Sequence, residues 1–198
     1  MKLGKKIVAC TLAAAMLIGS AVGVYAEGSR TKDVTVSGAS AQEYQITGKI
    51  EDSDSYKELQ ESDPEIVELI DQVNDGTMEM ADFITALTEQ AEALTDEDAK
   101  AALDEVIETL RTKDFVTGFV DLIALEAAEK NADDKYEVTI SVPSLTDQLR
   151  NVQVLHYSTV RSQWEIIDPS EVDMEEKTIT AEFEDLSPIA VIADSTEK

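Results

Sequence analysis

The chain has 198 residues, 42 of them Asp or Glu against 16 Lys or Arg, giving a formal charge of −26 with one His, one Cys and one Trp. Charge of this sign repels a phosphate backbone, so the attraction that carries most nucleic-acid affinity is missing and no nucleic-acid partner is expected. Hydrophobic residues make up 43%, too many for a disordered acidic chain, and a folded protein with an acidic surface is expected, stabilised by its core without disulfides.

Lys2, Lys5 and Lys6 precede an uncharged apolar stretch from Ile7 to Val24, and Val24-Tyr25-Ala26 places small residues where a signal peptidase reads them. The pattern predicts a signal peptide over residues 1–26, cleaved after Ala26, and a secreted protein with no stable membrane anchor. A lipoprotein reading at Cys10 fails, because the apolar run follows the cysteine instead of preceding it. Cleavage removes the only Cys and three lysines, taking the formal charge from −26 to −29 and leaving no disulfide framework.

Residues 27–52 read as loop with two short strands, from the alternation at Val34 and Val36 and then at Tyr44, Ile46 and Ile50. Residues 53–131 read as an acidic helical region; between 51 and 134 there are 26 acids and five bases. Asp63 before Pro64 predicts an N-cap and a first helical position, Ile66, Leu69, Ile70 and Val73 form one face, and Asn74-Asp75-Gly76 ends the helix. Thr77 is expected to cap a second helix with Met80, Ile84, Leu87, Ala91 and Leu94 inward. Thr95 with Asp98 resembles a capping box for a third, with Ala99, Ala102, Leu103, Val106 and Leu110 inward. Phe115, Phe119, Leu122 and Ile123 predict a fourth helical segment running toward Ala128, while Glu89, Glu92, Glu105 and Glu108 fall on wet faces.

Beyond Asn131-Ala132-Asp133-Asp134 the apolar period shortens to that of a strand. Tyr136, Val138, Ile140 and Val142 alternate with polar residues before Pro143, and Val152 to Tyr157 is apolar on both sides. Trp164 to Ile167, Thr178 to Phe183 and Ile189 to Ala193 complete five short strands, predicting an antiparallel β domain over 135–194 as one layer of a small sandwich. The expected fold is α+β, with three to four acidic helices whose apolar stripes pack on the C-terminal β domain.

Val154-Leu155-His156-Tyr157-Ser158, Gln163-Trp164-Glu165, Asp168-Pro169 and Asp185-Leu186-Ser187-Pro188-Ile189-Ala190-Val191 together resemble the C-terminal β domain of uncharacterised secreted and surface proteins of Gram-positive gut bacteria. That resemblance covers about the last 65 residues and implies fold and location, with no chemistry. The Trp164 strand and Leu186-Ser187-Pro188-Ile189-Ala190-Val191 are also distantly similar to the cleavage-site strands of autoproteolytic adhesion-receptor domains. There a hydroxyl attacks its own preceding carbonyl and a His two residues earlier takes the proton. Here Asp185 stands in the place of that His, and a carboxylate with an ordinary pKa near ~4 is a poor base for a hydroxyl.

Candidate chemistry is sparse. One His leaves no two-His zinc site, and no nucleophile elbow surrounds any Ser. The one catalytic pair worth naming is His156 with Ser158, as a hydrolase or self-processing site; against it stands the position of His156-Tyr157-Ser158 at the end of a strand. Asp52-Ser53-Asp54-Ser55-Tyr56-Lys57 begins like a calcium loop, but Tyr56 occupies a ligand position and Lys57 the required glycine. Asn131, Asp133 and Asp134 read as a polar linker ahead of a loose cation site. Glycine-rich phosphate loops are absent, and no cofactor or metal is expected. The reading these features leave is a secreted non-catalytic binding or scaffolding module whose partner is an extracellular protein or cell-surface component.

Overall fold

The computed structural model describes residues 33–47 and 50–195, so the expected signal peptide lies outside the described residues. In chain order the elements are β1 (Thr35–Val36), β2 (Tyr44–Ile46), α1 (Asp54–Ser62), α2 (Pro64–Asn74), α3 (Met80–Ala93), α4 (Glu97–Leu110), β3 (Lys113–Phe115) and β4 (Val120–Ala124). They continue through β5 (Tyr136–Ser141), β6 (Gln153–Ser158), β7 (Gln163–Ile167), β8 (Glu171–Asp173), β9 (Thr178–Phe183) and β10 (Pro188–Asp194). The fold is α+β.

Two antiparallel sheets follow from the apolar pattern. A central sheet runs β2-β4-β10-β6-β7, with β3 also paired to β10, and an outer sheet runs β1-β5-β9-β8. Strands β5 and β9 alternate buried and partly exposed residues, as a sheet with one wet face requires. β10 is buried at every position from Pro188 to Ala193, because its two faces enter different cores. Ile189, Val191 and Ala193 meet Val138, Ile140, Ile179 and Phe183 of the outer sheet, whereas Ala190 and Ile192 meet the helices. A strand covered on both sides reads as a continuous apolar run. The molecule therefore has three layers: helices, central sheet, outer sheet.

The helical layer is fixed on the central sheet by aromatic packing. Phe83 of α3 lies edge-on to Trp164 of β7 at 5.2 Å and to Phe115 at 5.5 Å, and Tyr157 of β6 lies edge-on to Trp164 at 5.0 Å between ring centroids. Offset and edge contacts of this kind add to the area term. The helices begin and end on local chemistry. Pro64 opens α2, Ser53 Oγ accepts from Tyr56 N at 3.0 Å, and Gly76, at φ 72°, follows α2 in the left-handed conformation.

Several sequence expectations are corrected. The segment from Phe115 toward Ala128 is not helical but forms β3 and β4, and the helices end at Leu110. Val116 and Thr117 donate to the Val191 carbonyl at 2.8 and 3.2 Å, and the β-branched pair followed by Gly118 is a weak helix former. Gly118 is also required by contact: a Cβ there would sit 2.6 Å from Asn74 Oδ1. That side chain accepts from Phe119 N at 2.6 Å and donates to Phe119 O at 3.1 Å. Thr77 does not cap α3; its hydroxyl donates to the Gln72 carbonyl at 3.1 Å, closing α2. The cap of α4 is Asp96, accepting from Asp98 N and Ala99 N, one residue beyond Thr95. Leu94, expected inward, is 39% exposed. Helix α1 falls inside the expected helical region without a punctuation signal of its own, and β8 is a three-residue strand between the expected turns at Asp168-Pro169 and Glu175-Glu176.

Candidate functional site

His156 and Ser158 are two residues apart on β6, so their side chains share the face turned toward the outer sheet. His156 is 0% exposed and lies edge-on to Phe183 at 5.8 Å. Its Nε2 is 2.8 Å from Ser187 Oγ and its Nδ1 is 3.4 Å from Glu165 Oε2. The structure thus joins the sequence-named His156 to Ser187 and Glu165, residues that sequence reasoning did not assign to it. The signal was present in the hairpin register, since Glu165 stands directly opposite His156 between β6 and β7.

Hydroxyl, imidazole and carboxylate in this order form the chain used for nucleophilic catalysis. The hydrogen bonds run the other way. Ser187 Oγ donates to the Tyr157 carbonyl at 2.6 Å, and a carbonyl only accepts, so the single hydroxyl hydrogen is committed there. Nε2 then donates to Ser187 Oγ while Nδ1 donates to Glu165 Oε2, so both ring nitrogens carry hydrogen, an assignment made from the network. A nitrogen donating to a hydroxyl is not a base toward it. Ser187 is itself 0% exposed, leaving no surface for a substrate.

Ser158 belongs to a neighbouring network. Its Oγ donates to Asp185 Oδ1 at 2.9 Å and accepts from Arg161 N and Nε at 3.1 and 3.2 Å. The Arg161 guanidinium bridges Glu184 at 2.6 Å, Glu165 at 2.8 Å and Asp185 at 3.4 Å. Burial alone would raise the Glu165 pKa, but hydrogen bonds from His156 and Gln163 and the charges of His156 and Arg161 outweigh it, leaving it below the usual carboxylate range. The result is a polar plug at one end of the sandwich, in which Asp185 Oδ2 is buried without a hydrogen-bond partner among the described residues.

A second buried acid sits under α1. Asp121 of β4 is 0% exposed; its Oδ2 accepts from Ser55, and Oδ1 has no partner among the described residues. Burial raises its pKa, partly countered by hydrogen bonds from Ser55 and Ser53. Between β4 and β5, Asn131 Oδ1 accepts from Asp133 N and Lys135 N, each at 3.0 Å, and Asp134 has φ 59°. Asn131 therefore shapes a turn with the oxygen a cation would need. Among the described residues no group of three or more His, Cys, Asp or Glu is placed to hold a metal ion, and no helix is long and apolar enough to cross a membrane.

The helical layer and the β6–β7 hairpin enclose a partly open cleft of about 280 Å³. Ile66, Leu94 and Leu103 line its apolar side, Tyr157 and Trp164 belong to its aromatic side, and Asp63 and Glu65 supply its charge. Tyr157 Oη donates to Asp63 Oδ2 at 3.0 Å. Comparison with protein-family models, with curated proteins and with solved structures gave no match.

Proposed function

We propose that this chain is a secreted, non-catalytic binding or scaffolding module acting on an extracellular protein or cell-surface component. The observation that carries the reading is the closure around the only His: His156 and Ser187 are both 0% exposed, and the Ser187 hydroxyl donates to the Tyr157 carbonyl. A nucleophile without a base, sealed from solvent, performs no acyl transfer. The pattern at residues 1–26 and the resemblance of the last 65 or so residues to secreted and surface proteins support the location. The acidic helix faces favour a partner carrying basic groups and oppose nucleic acid.

The test is prolonged incubation of the purified mature protein, read by intact mass and denaturing gel, beside its capture of components from its own culture medium and cell surface. One intact species together with a specifically retained component is the expected result. Two fragments whose formation is abolished by His156→Ala or Ser158→Ala would replace this reading with a self-processing one.

A further inference from the structure

Asp121 is an acid buried without a charged partner. Its side chain is 0% exposed on the helix-facing side of β4, and its side-chain partners among the described residues are hydroxyls, those of Ser55 and Ser53. Oδ1 has no partner among the described residues, and neither has Thr47 Oγ1. Thr47 stands opposite Asp121 across the sheet, its N–H donating to the Asp121 carbonyl at 3.1 Å, so the two side chains share the face that α1 covers. A carboxylate buried without a cation or a full set of donors is costly, and such a group takes up a proton instead. Burial holds the Asp121 carboxyl above its ordinary range, against the smaller opposing effect of the two serines.

The element lying on this acid is the helix least able to stay down by itself. α1 has nine residues and buries two, Tyr56 and Leu59, whereas α2 buries five, and a helix of that length is marginal without docking. Asp63, extended at φ −146°, and Pro64 separate it from α2, so α1 can lift while α2 stays packed. The surrounding charges do not steady an ionised Asp121. The neighbouring strands face it with Thr47 and Pro188. Glu51, Asp52, Asp54, Lys57 and Glu58, on α1 and the turn before it, are exposed. The cleft beside Ser55 carries Glu184, Asp185 and Lys130, and Lys130 is engaged by Asp134 and the Tyr136 ring.

We infer that α1 is a proton-gated flap, held on the sheet when Asp121 carries a proton and loosened when Asp121 ionises. The sign follows from burial. The closed state binds the proton more tightly than the open one, so the hold is at full strength below the open-state pKa, near ~3.9, and weakens as pH rises through the closed-state value. A chain outside the cell meets the external pH, so the use of the flap rests on the secreted reading, whereas its existence does not.

Hydrogen exchange of the mature protein, resolved to α1 and α4 and corrected for intrinsic rates, tests this between about pH 4 and pH 8. The opening constant of α1 should rise ~tenfold per pH unit above the open-state pKa, the slope of one proton, and level off past the closed-state value. That opening should be insensitive to low urea, the mark of a local event, while α4 stays more strongly protected. Asp121→Asn, which keeps the shape of the neutral acid, should abolish the rise. Ser55→Ala removes a donor to the ionised carboxylate and should move the levelling-off to higher pH. An α1 opening constant that is flat with pH in the unmodified protein, or α1 and α4 exchanging together at one urea-dependent rate, overturns the inference. Closure of α1 at pH 8 by millimolar calcium would overturn it too, assigning the buried acid to a cation instead of a proton. Partner capture tests the secreted binding reading separately: its failure leaves the exchange result standing, and a flat exchange profile beside a retained partner removes the flap alone.

Discussion

At the scale of single residues, His156 holds the end of the sandwich closed. Removing its ring leaves the Ser187 hydroxyl without its donor and Glu165 with Arg161 and Gln163 as its remaining side-chain partners, and opens a cavity beside Phe183. His156→Ala should cost ~2–4 kcal/mol in urea unfolding at unchanged slope, the sum of an orphaned buried polar group and a void. Asp121 behaves oppositely. Its folded pKa is raised above the unfolded value, so the associated stability is present below the unfolded pKa, near ~3.9, and is lost as pH rises through the folded value. At neutral pH, above the unfolded value, that stability is lost or reduced and the buried carboxylate is a cost to the fold. Asp121→Asn should raise the melting temperature at pH 7, with the gain shrinking as pH falls toward 4, measured by thermal unfolding across that range. His156 was visible in the sequence as the only imidazole. Its partner Ser187 was not, because 31 residues separate them and only the β6–β10 pairing brings them together.

At the scale of elements, the clearest lesson lies between Lys113 and Ala124. Phe115, Phe119, Leu122 and Ile123 fit a helical spacing, but Val120 and Leu122 serve the sheet-to-sheet core while Asp121 turns under α1, a two-residue period. The competing signal was non-local, since β3 pairs with Ile192 to Asp194 of β10 and β4 with Pro188 and Ile189, far downstream in the chain. By contrast Tyr136 to Val142, Trp164 to Ile167 and Thr178 to Phe183 were legible nearly to the residue, because their alternation and turn chemistry are local. The clamp between Asn74 and the Phe119 backbone ties the end of α2 to the start of β4. Gly118→Ala should push Asn74 off that backbone and cost ~2 kcal/mol. In Asn74→Ala the alanine at 118 should cost much less, a coupling that a double-mutant cycle with equilibrium unfolding would measure.

At the scale of the whole molecule, the three layers share side chains, as apolar helix stripes packed on a β domain require. Phe83 of α3 packs on Trp164 of β7, and β6 and β10 place side chains in both cores. Unfolding should therefore be one transition, with Trp164 emission and far-UV signal coincident, and Phe83→Ala should shift both midpoints together by the equivalent of ~3–5 kcal/mol. Charge obeys the same division of faces: Glu89, Glu92, Glu105 and Glu108 are exposed as their spacing implied, so the acidity belongs to the outer surface of the helical layer. The central claim is that the imidazole is a structural donor. The long-range ¹H–¹⁵N correlation spectrum of the single histidine tests it most directly, because no other imidazole overlaps. The account predicts a protonated Nε2 at pH 7 whose hydrogen exchanges slowly with water; a bare, accepting Nε2, as a general base requires, would contradict it.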